Sequence, residues 1–495
     1  MPRFFRHISA SALQFGLNQA LGLGLFYLLS RGLDKDRFGE LNWSLAVCLT
    51  AFTLLGVGLD ALVVKKIAAG DPPGPLLSLY RIHVGWVGVG AYLAVLVLSW
   101  IIPGFFHRHV FLLGIALAKT LLFWALPYKQ LAAGKERFEI LMKMSICSTV
   151  LKTGAVLICW WTHDWSVPLL IGIFIAGDAA EWALSRYLGR RLAHSAPSAP
   201  ASHLAAAPRA ASGSAPAAAP ASRSAPSAWL LLLRESLPQA GVVLFSSALA
   251  RFDWIFIGLF VSASRLAEYS FAYKAFEVSS LPLLAIAPLL VPAFARWMKG
   301  GRLTPDRERD LHQLLRGELV LAWGTVLWLN MLWVPVVDPL TAGMYGVVNV
   351  RTVFILSLCL PVLYLNNFLW TIHFAHGRLT WIFKAFAWGF ALNVAGDVFL
   401  IPRYGNLGAA LAFLGAIVLQ TMLYQRNIRE VSIPSVWLSQ GLCAACAGAA
   451  ALGAVHLVAG VWAQVLCATA FYIIGLLLTG RVRWEDALYL RHKFS

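Results

Sequence analysis

Read for hydropathy, the chain is a succession of long apolar runs separated by short polar gaps. Runs long enough to cross a bilayer lie near residues 8–30, 42–64, 82–102, 110–127, 144–162, 165–185, 236–261, 269–293, 319–337, 352–375, 380–400, 405–425, 436–459 and 462–480. A crossing helix needs roughly 20 apolar residues, and each run supplies close to that length. Strands of a membrane barrel would be about ten residues long and would alternate apolar with polar. These runs are longer and apolar on every face. The pattern therefore predicts an all-α polytopic membrane protein with about 14 transmembrane helices.

Composition agrees. Of 495 residues, 59% are hydrophobic and only 13% are charged, against about 25% charged in a soluble domain. The net charge of +17 would suggest nucleic acid in a soluble protein, but here the basic residues sit in the gaps between spans. With the N-terminus placed inside, the inner gaps and tails hold 29 Lys and Arg, including Lys65, Lys66, Lys129, Lys135, Arg190 and Arg191. The outer gaps hold 7: Arg31, Lys35, Arg37, Arg108, Arg265, Arg351 and Arg403. This asymmetry follows the positive-inside rule and predicts cytoplasmic termini and no nucleic-acid partner. Arg3 and Arg6 precede an apolar run that lacks a small-residue cleavage site, so it reads as a retained first span. The seven cysteines lie in apolar stretches and suggest no disulfide framework; Cys443 and Cys446 read as small residues for close helix packing.

One break in composition divides the chain. Residues 193–228 are almost entirely Ala, Ser and Pro, without an acidic residue, and predict a disordered cytoplasmic linker. The expected organisation is an N-terminal six-helix lobe over 1–192, the linker, a C-terminal six-helix lobe over 229–430, and two extra helices with a cytoplasmic tail over 431–495. A faint repeat agrees: Phe38-Gly39-Glu40 leads into a span ending at Lys65-Lys66, and Leu266-Ala267-Glu268 leads into one ending at Arg296. Duplicated halves around a central site are common in transporters.

Several stretches carry a family likeness: Phe38-Gly39 and Gly58-Leu59-Asp60-Ala61 around the second run, Ala267-Glu268-Tyr269-Ser270-Phe271-Ala272-Tyr273, and Val291-Pro292-Ala293-Phe294. The most specific runs from Asn393 through Ile401-Pro402-Arg403-Tyr404-Gly405-Asn406-Leu407-Gly408-Ala409-Ala410. In order and spacing, the sequence resembles the polysaccharide transporters of the multidrug/oligosaccharidyl-lipid/polysaccharide flippase superfamily, the Wzx-like flippases, over most of the first twelve runs. The resemblance implies two six-helix lobes around a central cavity that opens alternately to each side. It implies a carrier in a bacterial plasma membrane that moves a polyprenyl-diphosphate-linked oligosaccharide from the cytoplasmic to the outer leaflet. The destination would be exopolysaccharide, O-antigen or capsule assembly, with other assembly proteins as partners. The long linker departs from the family outline.

Such a substrate requires cations for its diphosphate and polar or aromatic groups for its sugars. Charged residues inside spans are costly and are functional candidates by default. Four cations qualify as substrate-binding residues of a cationic cavity: Lys119, Lys152, Arg251 and Lys274. Arg251, with a planar fork that suits phosphate oxygens, is the expected main contact. Lys274 and Glu277 lie three apart and can pair; Arg251 and Asp253 lie two apart and cannot face each other; Lys119 and Lys152 have no acid partner nearby in sequence. Six in-span acids, Asp60, Asp178, Glu181, Asp253, Glu277 and Asp397, are candidates for coupling to Na⁺ or H⁺, or else salt bridges that hold the helices. Asp178 and Glu181, one turn apart, read as a coupled pair.

Other features add less. His373 and His376 share a helix face without a third ligand, so no metal and no cofactor are expected. Most of the 20 Trp read as interfacial belts, as Trp160, Trp161 and Trp165 suggest. Pro282, Pro288 and Pro292 predict a kinked eighth span. Arg296–Arg316 reads as a mixed-charge solvated loop. The sequence carries no Walker A motif, nucleophile elbow or zinc helix motif, which argues against an enzyme. The alternatives are an ion-coupled drug or cation antiporter of the same superfamily, disfavoured by four in-span cations, and a glycan polymerase or ligase, disfavoured by short outer gaps, the longest near 31–41 and 338–351.

Overall fold

The computed structural model describes residues 19–194, 225–283, 290, 294, 305–428 and 436–481. Among them there is no strand. In hydrocarbon each backbone N–H and C=O must find its partner within its own segment, and the apolar runs accordingly become helices. In chain order they are α1 (residues 19–32), α2 (Lys35–Leu55), α3 (Leu59–Ala68), α4 (Pro73–Ile101), the short α5 (Pro103–Arg108), α6 (Leu112–Gly134), α7 (Phe138–Thr162), α8 (Val167–His194), α9 (Ala225–Phe260) and α10 (Ala263–Ser279). They continue with α11 (Pro305–Thr341), α12 (Val350–Ala375), α13 (Leu379–Tyr404), α14 (Asn406–Arg426), α15 (Val436–Leu457) and α16 (Val461–Leu478). Eleven described helices are long and apolar enough to cross a membrane. The expected spans at 8–30 and 269–293 include residues outside the described set, and all but the last residue of the one at 236–261 lies within α9. The chain is a polytopic all-α membrane protein.

Several boundaries differ from the sequence reading, each for a local reason. The expected span 42–64 is broken: α2 ends at Leu55, and Val57 and Gly58 take positive φ (48° and 67°) before α3 begins. Glycines at 56 and 58 permit the turn without lowering hydropathy, so the apolar count did not register it. The outer gap at 31–41 shrinks to residues 33 and 34 because α1 and α2 both run into it. The span at 110–127 extends as α6 to Gly134, past Pro127, and takes in Lys129. The expected linker loses its ends, since residues 193–194 belong to α8 and 225–228 to α9; residues 195–224 lie outside the described set, as do Pro288, Pro292 and Arg296. The stretch expected as a loop to Arg316 is helical from Pro305. Leu311, Leu315 and Leu319 recur every fourth residue there, forming a buried stripe that packs among Leu365, Phe368 and Ile372 of α12.

The chain divides into two compact units, Met1–Gly32 with Val47–Leu244 and Leu33–Ala46 with Phe245–Ser495. In the first, α6 packs against α3, α4 and α8. Its core gathers Leu59 and Val63, Tyr80 and Val84, Phe123 and Leu131. In the second, α13 and α14 form a tight hairpin whose turn explains the signature at 401–410. Gly405, at φ 56° and ψ −131°, ends one helix and starts the next in a backbone region that suits glycine. A Cβ on Gly408 would fall 2.4 Å from the Leu400 carbonyl oxygen, so the helices approach this closely only without a side chain there. The last pair, α15 and α16, packs through small residues: Cys443, Ala447, Ala450 and Ala454 meet Ala468, Tyr472 and Leu476, with Leu327 of α11. Both cysteines of the 443–446 pair are free, and the thiol of Cys446 lies against Gly475, consistent with the packing role read from sequence.

Candidate functional site

In the first unit, α6, α7 and α8 each project charge into the same buried region. Asp178 of α8 receives hydrogen bonds from Lys119 of α6 (2.8 Å), from Lys152 of α7, and from the hydroxyl of Ser148 (3.0 Å). All three charged groups are buried. Lys119 and Lys152, which have no acid nearby in sequence, thus find their partner 59 and 26 residues away. One turn further along α8, Glu181 accepts from Lys129 of α6 at 2.7 Å. Asp60 accepts from the Tyr80 hydroxyl and feels the charge of Lys129.

Two ammonium groups share the single carboxylate of Asp178, and the Lys129–Glu181 pair lies one turn away. The ring of Phe174 supports the two ammonium groups, with Lys152 Nζ 5.2 Å and Lys119 Nζ 6.0 Å from its centroid. Local backbone makes room for the arrangement. A Cβ on Gly177 would come within 2.7 Å of the Lys152 side chain, so the lysine stem occupies the space that a larger residue on α8 would fill.

The second unit holds the other two cations. Lys274 pairs with Glu277 on its own helix at 2.7 Å, as the three-residue spacing allowed. Arg251 lays its guanidinium over the Trp254 ring, 4.6 Å from the centroid, and makes no ion pair among the described residues. Beside it, Asp253 is buried and accepts from the Tyr269 hydroxyl (2.5 Å) and the Trp254 backbone N–H (2.8 Å). Asp397 of α13 is wholly buried and close enough to Asp253 for the two charges to interact. It accepts from the Asn393 side chain at 2.8 Å, while Oδ1 of Asp397 and Oδ1 of Asn393 make no hydrogen bond. A carboxylate and a carboxamide with spare acceptor oxygens, beside the buried carboxylate of Asp253, form a group that a small cation or a proton would complete.

Sequence reasoning missed Lys129, Ser148 and Asn393 as members of these clusters. Lys129 was placed in a gap. Asn393 opened the most specific stretch of the sequence, and a polar residue one turn before an in-span acid was the available signal. His373 bonds through Nε2 to the Tyr424 carbonyl at 3.0 Å and His376 through Nδ1 to that of Ile372, so both act as helix fasteners.

A family described as "Polysaccharide biosynthesis protein" matches residues 4–298, more than half of the chain. No curated protein matches the sequence. Among solved structures, the chain is similar to the lipid II flippase MurJ in an inward closed conformation, at TM-score 0.71 and 12% identity, covering 95% of this chain and 98% of that one. It is similar to an inward-facing multidrug resistance MATE family transporter of the MOP superfamily, at TM-score 0.60 and 12% identity, covering 84% of this chain and 97% of that one. It also resembles a MOP superfamily transporter from Pyrococcus furiosus, whose description reports a binding pocket of reverse polarity, at TM-score 0.54 and 12% identity, covering 85% of this chain and 93% of that one. At such identities these likenesses concern the fold, which is the one that the sequence resemblance implied. The matched residues carry the further conclusion that the chain belongs to the polysaccharide biosynthesis protein family.

Proposed function

We propose that the protein is a flippase that moves a polyprenyl-diphosphate-linked oligosaccharide from the cytoplasmic to the outer leaflet of a bacterial plasma membrane by alternating access, for exopolysaccharide, O-antigen or capsule assembly. The observation that carries this reading is the grouping of in-span cations: Lys119 and Lys152, both buried, around one carboxylate, and Arg251, which makes no ion pair among the described residues. A diphosphate headgroup cannot enter hydrocarbon without compensating positive charge. Family membership and the fold shared with a lipid II flippase support the same reading. In this proposal the chain comprises lobes over 1–192 and 229–430, a cytoplasmic linker, and a terminal helix pair, with both termini cytoplasmic. Depletion of the protein followed by mass spectrometry of polyprenyl-linked glycans, resolved by leaflet, is the test. Completed units trapped on the cytoplasmic face are expected; an unchanged pool and distribution would point instead to small-molecule antiport.

Coupling to a cation belongs to the same proposal, carried by the spare oxygens of Asp397 and Asn393 beside Asp253. Uptake into inverted vesicles is expected to respond to an imposed sodium or proton gradient in the wild type and to lose that response in Asp397→Asn. Wild-type transport that ignores both gradients would end the coupling idea.

A further inference from the structure

A second feature of the Phe245–Ser495 unit is not used by the charge argument. A cavity of about 420 Å³ lies among α10, α12, α13 and α14, within the range of about 300–1,000 Å³ typical of small-molecule sites. No charged side chain lines it among the described residues. Its polar lining consists of carboxamides, Asn366, Asn367 and Gln420, and its apolar lining includes Tyr273, Trp370 and Phe386.

The carboxamides are not fully used by the fold. Asn366 donates from Nδ2 to Oε1 of Gln420 at 2.9 Å. Gln420, only 5% exposed, has its amide close to the Tyr424 hydroxyl, and Asn367 makes no hydrogen bond through Nδ2 among the described residues. Buried amide donors left without partners are costly and are ordinarily satisfied by a ligand or an ordered water. A carboxamide both donates and accepts, which is the pattern of a sugar hydroxyl. Aromatic rings match the C–H faces of a pyranose. The lack of charge in the lining rejects a phosphate.

The position relative to Arg251 adds a second argument. The guanidinium lies on the Trp254 ring, and Trp254 meets Tyr273 edge-on, with centroids 5.8 Å apart. Tyr273 in turn lines the cavity. One aromatic pair thus links a phosphate-binding fork to a neutral carboxamide pocket. In a lipid-linked oligosaccharide the diphosphate and the first sugar are joined covalently, so the two recognition elements must be neighbours.

We propose that the cavity lined by Asn366, Asn367 and Gln420 is a subsite for an uncharged sugar of the glycan headgroup. This rests on the flippase reading. The test uses the full chain in lipid nanodiscs and, as probe, the water-soluble glycan released by mild acid from lipid extracts of depleted cells. Binding is read by equilibrium dialysis. Wild-type protein is expected to bind the glycan, and Asn367→Ala and Gln420→Leu to bind it roughly tenfold more weakly, the loss of about one hydrogen bond in a desolvated site. Asn367 is half-buried and its amide donor supports nothing in the fold, so its variant reports on binding even where Gln420→Leu does not fold. A wild type that binds no glycan, or an Asn367→Ala variant that binds as well as wild type, overturns the subsite while leaving the flippase intact. Failure of depletion to trap any lipid-linked glycan instead removes the flippase reading, and the subsite falls with it.

Discussion

Arg251→Gln is expected to reduce glycan export by about 30- to 150-fold while the protein accumulates at its normal level. The guanidinium makes no ion pair among the described residues, and the nearby Asp253 keeps its hydrogen bonds from Tyr269 and the Trp254 backbone, so the main loss falls on the substrate. A charge-assisted hydrogen bond to a phosphate oxygen contributes about 2–3 kcal/mol, which in rate is the factor stated. Lys152→Gln is the companion variant. Asp178 keeps Lys119 as its partner, so the carboxylate stays satisfied, but one of its two cations is gone. Export measured in both variants, with membrane protein quantified in parallel, separates transport from folding. Full export in the two together would remove the cationic assignment.

Asp178→Asn has the opposite signature, a loss of stability ahead of any loss of recognition. The variant leaves two buried ammonium groups facing an amide, and breaking a buried ion pair from one side costs about 3–5 kcal/mol. A clear fall in melting temperature in detergent is expected. Combining Asp178→Asn with Lys152→Gln restores the original net charge and is expected to recover much of that fall. The double-mutant cycle thereby measures the coupling between the two groups. Unchanged melting in Asp178→Asn would mean that water reaches the cluster and screens it.

The sequence made the membrane class, the order of most spans and the identity of the in-span charges legible, because hydropathy and charge are properties of single positions. Partnership is not. Lys119 and Lys152 looked unpaired because Asp178 reaches them only after α6, α7 and α8 have packed. Lys274 and Glu277 were legible because one helix turn joins them. The break between α2 and α3 escaped notice for a related reason: its glycines and valine are as apolar as the helices they separate. The carboxamide cavity escaped because Asn366 and Gln420, 54 residues apart, each look like an ordinary polar interruption of an apolar run.

The double anchorage of α8 has a mechanical consequence. Asp178 and Glu181 are tied at successive turns, to Lys119 and Lys129 on one neighbour, and Asp178 also to Lys152 on the other. A slide of α8 by a single turn, about 5.4 Å, would sever every one of these ties at once in a medium that offers no water to replace them. The ties therefore resist gradual slippage of α8 against α6 and α7.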